Sequence, residues 1–310
     1  MSFRSVSLAP NPPRSPQLAW LFDLPLLLEI YVAINLAGLA GSVILTHSAN
    51  HFRNPAEYIP LYFSADAPLL LLVAILAKQR WRSQDAWRDI GYLIGGLAVL
   101  VGLAGVVYHL HSTFFAGLTL HSVAYAAPFV SPLAYSSLGL LIILNRVIAV
   151  RSIRWVRWVI LMAAGGFFGN FVLTLIDHAR NGFLVKAEWI PILSGALAAC
   201  VLLVPAVRIV SRRYLDFCLA VLGLQVLVGL VGFGLHMRMN AFASGQSFFE
   251  KTVNGAPPMA PLLFPDLVIL ALIGLCELAA HLPGERTSVF DRLFHVSAPE
   301  TEPADGLAIE

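Results

Sequence analysis

The sequence predicts an all-α, polytopic membrane protein: about eight transmembrane helices, set out as two parallel four-helix repeats with pseudo-two-fold symmetry. Three observations lead there. The 310 residues are 58% hydrophobic and only 12% charged, with a mean hydropathy of +0.77, too little charge for a soluble domain of this size. Four runs, Ile90–Tyr108, Trp158–Ile176, Trp189–Val207 and Phe217–Leu235, contain no acid, base or histidine, and each is about the length at which a helix crosses hydrocarbon. Finally, short polar motifs recur at nearly one displacement. Period-two alternation is absent, so helices rather than strands must satisfy the backbone inside a bilayer.

Taken in order, the expected spans are 24–46, 58–77, 90–109, 121–145, 158–177, 189–207, 214–236 and 258–281, the last interrupted by Asp266 and Glu277. Fifteen of the 20 lysines and arginines fall on one side of this arrangement; Arg53, Arg180, Lys186, Arg238 and Lys251 fall on the other. The richer side is the cytoplasmic one by the charge rule, which puts both termini inside a bacterial plasma membrane. Residues 1–17 read as a cytoplasmic segment without an apolar signal core, leaving the first span as an uncleaved anchor. Residues 284–310, acidic and poor in large apolar side chains, read as a little-ordered cytoplasmic tail. Cys200, Cys218 and Cys276 all lie in spans without C-x-x-C spacing and read as apolar filler.

The duplication is read from four matches. HFRN at His51 and HARN at His178 are 127 residues apart, as are His109 and His236; A-E-[YW]-I-P recurs at Glu57 and Glu188 with a step of 131; APFVSPLAY (Ala127–Tyr135) and APPMAPLLF (Ala256–Phe264) are 129 apart. On this alignment four residues are inserted in the second copy, and the halves are 18–146 and 147–283. An even number of spans per copy makes the repeat parallel, with its axis along the membrane normal.

The topology gathers polar side chains at the extracytoplasmic face. His47, His51, His109, His111, His121, His178 and His236 all close or open spans there, with Glu57, Asp66, Asp177, Glu188, Glu250 and Asp266. Basic groups at helix C-termini and acids at N-termini are also what simple capping requires. Seven histidines against two lysines on that face exceed that need, since imidazole can stay neutral, bind a metal or carry protons at membrane depth. Metal ligation is expected at His51, His109, His178 and His236, two from each half and facing across the axis, with His47 and His111 as further ligands. Four imidazoles suit zinc, copper or iron, and an axial pair suits haem. Arg53, Arg180 and Arg238, each two residues after a histidine, favour haem propionates, and Glu57 and Glu188 would fix imidazole tautomers. The resulting expectation is a haem or transition-metal protein in a redox context, with a membrane or extracytoplasmic redox partner. The alternative is a secondary transporter that uses Asp66, Asp266 and proline-broken helices at Pro128, Pro132, Pro257, Pro258 and Pro261. The sequence contains no P-loop or dinucleotide fingerprint, no H-E-x-x-H and no nucleophile–base pair. No catalytic residue is assigned, and the arginines call for no nucleic acid.

Overall fold

The computed structural model describes residues 23–80, 83–243, 247–283 and 288–294. They form helices α1 (Leu24–Ser48), α2 (Tyr58–Arg80), α3 (Gln84–His111), α4 (Phe114–Gly117), α5 (Leu120–Ala124), α6 (Leu133–Val147), α7 (Ile153–Arg180), α8 (Trp189–Val207), α9 (Arg212–Phe242), α10 (Phe248–Asn254), α11 (Leu263–His281) and α12 (Val289–Phe294). Seven stretches among them are long and apolar enough to cross a membrane: Leu24–Ser48, Pro55–Arg80, Gln84–His111, Ile153–Arg180, Lys186–Val207, Arg212–Phe242 and Ala260–His281. The expected segment 1–17 lies outside the described residues, as does the expected tail apart from 288–294.

The fourth span, expected at 121–145, is divided. Its first part is the short α5, and α6 has only 15 residues, about 22 Å of helix against roughly 30 Å of hydrocarbon. Proline is the cause. Pro128 and Pro132 lack amide hydrogens and disfavour α conformation in the residue before them. The chain answers with tight turns instead, Ser131 N–H to Pro128 C=O at 3.2 Å and Tyr135 N–H to Pro132 C=O at 3.1 Å. In the other half a single 3₁₀ turn, Ala260–Leu262, leads into α11.

Packing closes two rings of four helices. α1 packs on α2, α2 on α3, α3 on α6 and α6 back on α1; α7 packs on α8, α8 on α9, α9 on α11 and α11 back on α7. The rings meet along two seams, α6 against α7 and α11 against α1, and the short helices cross over, α5 touching α7 and α10 touching α1. Glycines set the closest approaches. A Cβ on Gly102 would stand 2.7 Å from Pro132 O, and one on Gly229 2.8 Å from Pro261 O, so α3 meets the start of α6 as α9 meets the approach to α11. The helices that start at the arginine-bearing end begin on short polar caps: Asp23, Ser83, Ser152 and Ser211 accept from Leu26, Ala86, Trp155 and Tyr214 amides, filling orphan donors.

At that end the first ring is locked by polar groups. Glu29 accepts from Arg146 (Nη1 3.0 Å, Nη2 3.2 Å), Asn145 (3.0 Å) and Trp87 Nε1 (3.0 Å), with the Arg146 and Glu29 side chains 0% and 2% exposed. Trp87 lies between two cations, Arg146 Cζ at 3.7 Å and Lys78 Nζ at 4.0 Å from its ring centre, a favourable arrangement for an aromatic face. Trp155 of the second ring donates to Asn145 Oδ1 at 3.1 Å, so the lock crosses the seam.

Residues 289–294, expected in the little-ordered tail, form α12. Phe290 is fully buried, its amide donates to Asp216 Oδ1 at 2.8 Å, and Asp291 pairs with Arg212. One buried aromatic, one backbone hydrogen bond and one ion pair dock this short stretch on α9.

Candidate functional site

Both α1 and α7 end in a Schellman cap, and the caps carry the imidazoles. Phe52 N–H donates to His47 C=O (3.2 Å) and His51 N–H to Ser48 C=O (3.1 Å); Phe183 N–H donates to His178 C=O (3.1 Å) and Gly182 N–H to Ala179 C=O (3.0 Å). In this motif the residue after the cap turns left-handed. His51 does so with φ 60° and Gly182 with φ 68°. The phenyl rings that follow stack on the next helix, Phe52 on Tyr58 at 4.9 Å and Phe183 on Trp189 at 4.5 Å.

This geometry matches His47 with His178, Asn50 with Asn181, His51 with Gly182 and Phe52 with Phe183, all at the step of 131 that also relates Glu57 to Glu188. The two turns need no inserted residues. The likeness of HFRN to HARN pairs residues that do different work, and His51, expected as a ligand, is an exposed turn residue. Histidine is among the few non-glycine residues that enter the left-handed region readily.

The imidazoles of interest are therefore His47 and His178. His47 Nδ1 lies 3.3 Å from Glu57 Oε2, and His178 Nδ1 lies 3.5 Å from Glu188 Oε2, all four side chains 15–20% exposed. Neither contact has hydrogen-bond geometry: Glu57 Oε2 and Glu188 Oε2 are both buried without a hydrogen-bond partner. Asn50 Nδ2 donates to the other Glu57 oxygen at 3.0 Å.

A second imidazole in each half comes from α3 or α9. His109 Nδ1 lies 2.9 Å from Pro128 O and His236 Nδ1 lies 2.8 Å from Pro257 O. A carbonyl only accepts, so both Nδ1 atoms carry the proton and both Nε2 lone pairs are left for another partner. The rings of His47 and His109 are 6.2 Å apart, and His178 is within electrostatic reach of His236. The pairs form within each half, His47 with His109 and His178 with His236. Among the described residues no ring contact joins an imidazole of one half to one of the other, contrary to the expected meeting across the axis. The short crossing helices hold the halves together there instead.

The remaining expected residues scatter. Arg53 and Arg238 are exposed. Arg180 donates to the carbonyls of Ala124 and Ala126, so it fastens α7 to the α5 segment of the other half. His111 is exposed and sits 6.4 Å from the Phe115 ring; His121 packs on Tyr125. Asp66 is exposed on α2, which continues through Pro68, and among the described residues no contact joins it to Asp266. Asp266 instead accepts from Tyr31 Oη (2.8 Å) and Asn35 Nδ2 (2.9 Å) at the α1–α11 seam.

Among the described residues no three His, Cys, Asp or Glu side chains are already gathered to hold a metal ion. The His–Glu pairs come nearest. Ligands at about 2.0–2.2 Å from a common ion and 3.3–3.5 Å from one another subtend roughly 105–120°, near the tetrahedral value that zinc prefers. No protein-family model matches the chain, and neither does a curated protein or a solved structure.

Proposed function

We propose that the chain is a tandem duplication of a four-helix unit, and that each copy binds one transition-metal ion at the extracytoplasmic membrane face. One site takes His47 Nδ1, Glu57 Oε2 and His109 Nε2; the other takes His178 Nδ1, Glu188 Oε2 and His236 Nε2. The observation that carries this reading is the repeated imidazole–carboxylate pair whose buried carboxylate oxygen makes no hydrogen bond, at the same place in both halves. A buried acceptor left empty costs about 1–3 kcal/mol, more when charged, and its recurrence points to a partner the pair awaits. Pro128 and Pro257 orient the second imidazole of each site in the way that backbone carbonyls orient metal-bound histidines.

Two imidazoles and a carboxylate suit zinc, copper or iron. Ring centres of two imidazoles on one tetrahedral ion lie roughly 5 Å apart, given metal–nitrogen distances of about 2.0–2.1 Å, against the 6.2 Å between His47 and His109. Binding would draw the α3 and α9 ends toward the caps of α1 and α7. Three protein ligands leave a fourth position for water or substrate. Copper or iron there gives the site a redox role and an extracytoplasmic electron partner; zinc gives it a Lewis-acid role. Arg53 and Arg238 are exposed and Arg180 is engaged by the Ala124 and Ala126 carbonyls, so the bare ion is the better fit.

Metal analysis of detergent-purified protein, with a visible spectrum of the same sample, tests the proposal. About two ions per chain are expected, falling to one in Glu57→Gln or Glu188→Gln and to none in the double variant. A folded, metal-free protein that also fails to take up added zinc or copper would overturn it; a Soret band would restore haem.

A further inference from the structure

Asp266 lies at the seam between the two rings without a basic partner among the described residues. Its partners are Tyr31, donating to Oδ2, and Asn35, donating to Oδ1, and Asn35 also donates to Tyr31 O at 3.0 Å. Asn35 is near the middle of α1, and Asp266 lies in the first turn of α11. Both donors are neutral and each uses one lone pair, so each carboxylate oxygen keeps acceptor capacity. A carboxylate at membrane depth without a cation is costly. At the arginine-bearing end the chain solves that problem for Glu29 with Arg146; at this seam the described residues supply no basic side chain.

Beside the carboxylate is a groove of about 170 Å³, bounded by Leu27, Ile30, Ile34, Ile269 and Ile273 together with the three polar residues. The side chains Ile34 and Ile269 on its two walls are 65% and 53% exposed. The other seam lacks these three polar side chains among the described residues. By the repeat steps of 131 and 129, Tyr31, Asn35 and Asp266 correspond to Met162, Gly166 and Ser137, which offer no charge.

The geometry points to a single binding site at the α1–α11 seam for a lipophilic amine, whose ammonium group pairs with Asp266 while its chain lies along the isoleucine-lined groove. The carboxylate oxygens supply charge and acceptors for an ammonium's donors, and the apolar walls supply burial for a hydrocarbon body. Neutral amphiphiles of the same length bring only the second interaction and bilayer lipid already provides it.

The test uses the full chain in phosphatidylcholine nanodiscs, with radiolabelled dodecylamine as probe and dodecanol as the uncharged competitor. Saturable binding near one amine per chain is expected, weakened at least tenfold by Asp266→Asn, unaffected by dodecanol and unchanged in the Glu57→Gln/Glu188→Gln protein. Equal binding by wild type and a folded Asp266→Asn protein would overturn the assignment, as would displacement by dodecanol. Should Asp266→Asn fail to fold, Ile34→Trp decides: it fills the groove from an exposed position, and undiminished binding to it is equally fatal.

Discussion

The two halves are alike at one end and unlike at the other. At the imidazole end the same cap, the same His–Glu contact and the same proline carbonyl recur in both. At the arginine end the first half joins Glu29, Trp87, Asn145 and Arg146 in one network, while the corresponding positions of the second, by the repeat steps, are Ile160, Tyr214, Gly274 and Leu275. There Gly274 admits Ile160, whose Cγ1 would stand 2.6 Å from a Cβ. One backbone arrangement thus tolerates either a paired charge cluster or plain side-chain packing. The resemblance persists at the imidazole caps and at the glycine–proline contacts of Gly102 and Gly229, and lapses at the arginine end.

The largest expected effect comes from breaking the polar lock. Arg146→Ala leaves Glu29 charged in a fully buried place and should lower stability by about 3–5 kcal/mol, read as a reduced unfolding midpoint in detergent. Installing the second half's residues together, Glu29→Ile with Asn145→Gly and Arg146→Leu, should recover most of that loss. If the triple variant is no more stable than Arg146→Ala, the two halves' arrangements at the arginine end are not interchangeable solutions. In the other half Gly274→Ala should cost about 1–3 kcal/mol by overpacking against Ile160, and a neutral result would mean that α7 and α11 can part without penalty.

At the imidazole end the comparison predicts equality instead. His47→Ala and His178→Ala should each remove about one bound ion by metal analysis, and His51→Ala none. A loss from His51→Ala would restore the alignment that the caps replaced. The smallest effect concerns the turns: Gly182→Ala should destabilise by about 1 kcal/mol and His51→Gly should be neutral or slightly stabilising, measured by the same unfolding midpoints.

Much of the architecture was legible in the chain. Apolar runs of span length located every long helix, because the hydrocarbon imposes a minimum length on any crossing. The candidate site was legible in part. Glu57, Glu188, His109, His178 and His236 were singled out for their residue type and recurrence, but His51 was preferred to His47 because matching four letters, H-x-R-N, outweighed the register. Reading backward from A-E-[YW]-I-P without a gap finds His47, Asn50 and Phe52 opposite His178, Asn181 and Phe183. The division of span four could not be seen from hydropathy, which counts Pro128 and Pro132 among tolerated residues.

The sequence by itself determined a helical membrane protein, the places of its seven long helices, and a surplus of imidazole at one end of them, since composition and periodicity act over short stretches of chain. Only the tertiary structure decided which polar groups meet. Glu29 finds Arg146 across more than a hundred residues, His47 turns to Glu57 through a left-handed cap, and Asp266 finds Asn35 at a seam between two rings. Such meetings depend on helix rotation and close packing through glycine, and a one-dimensional pattern does not record them.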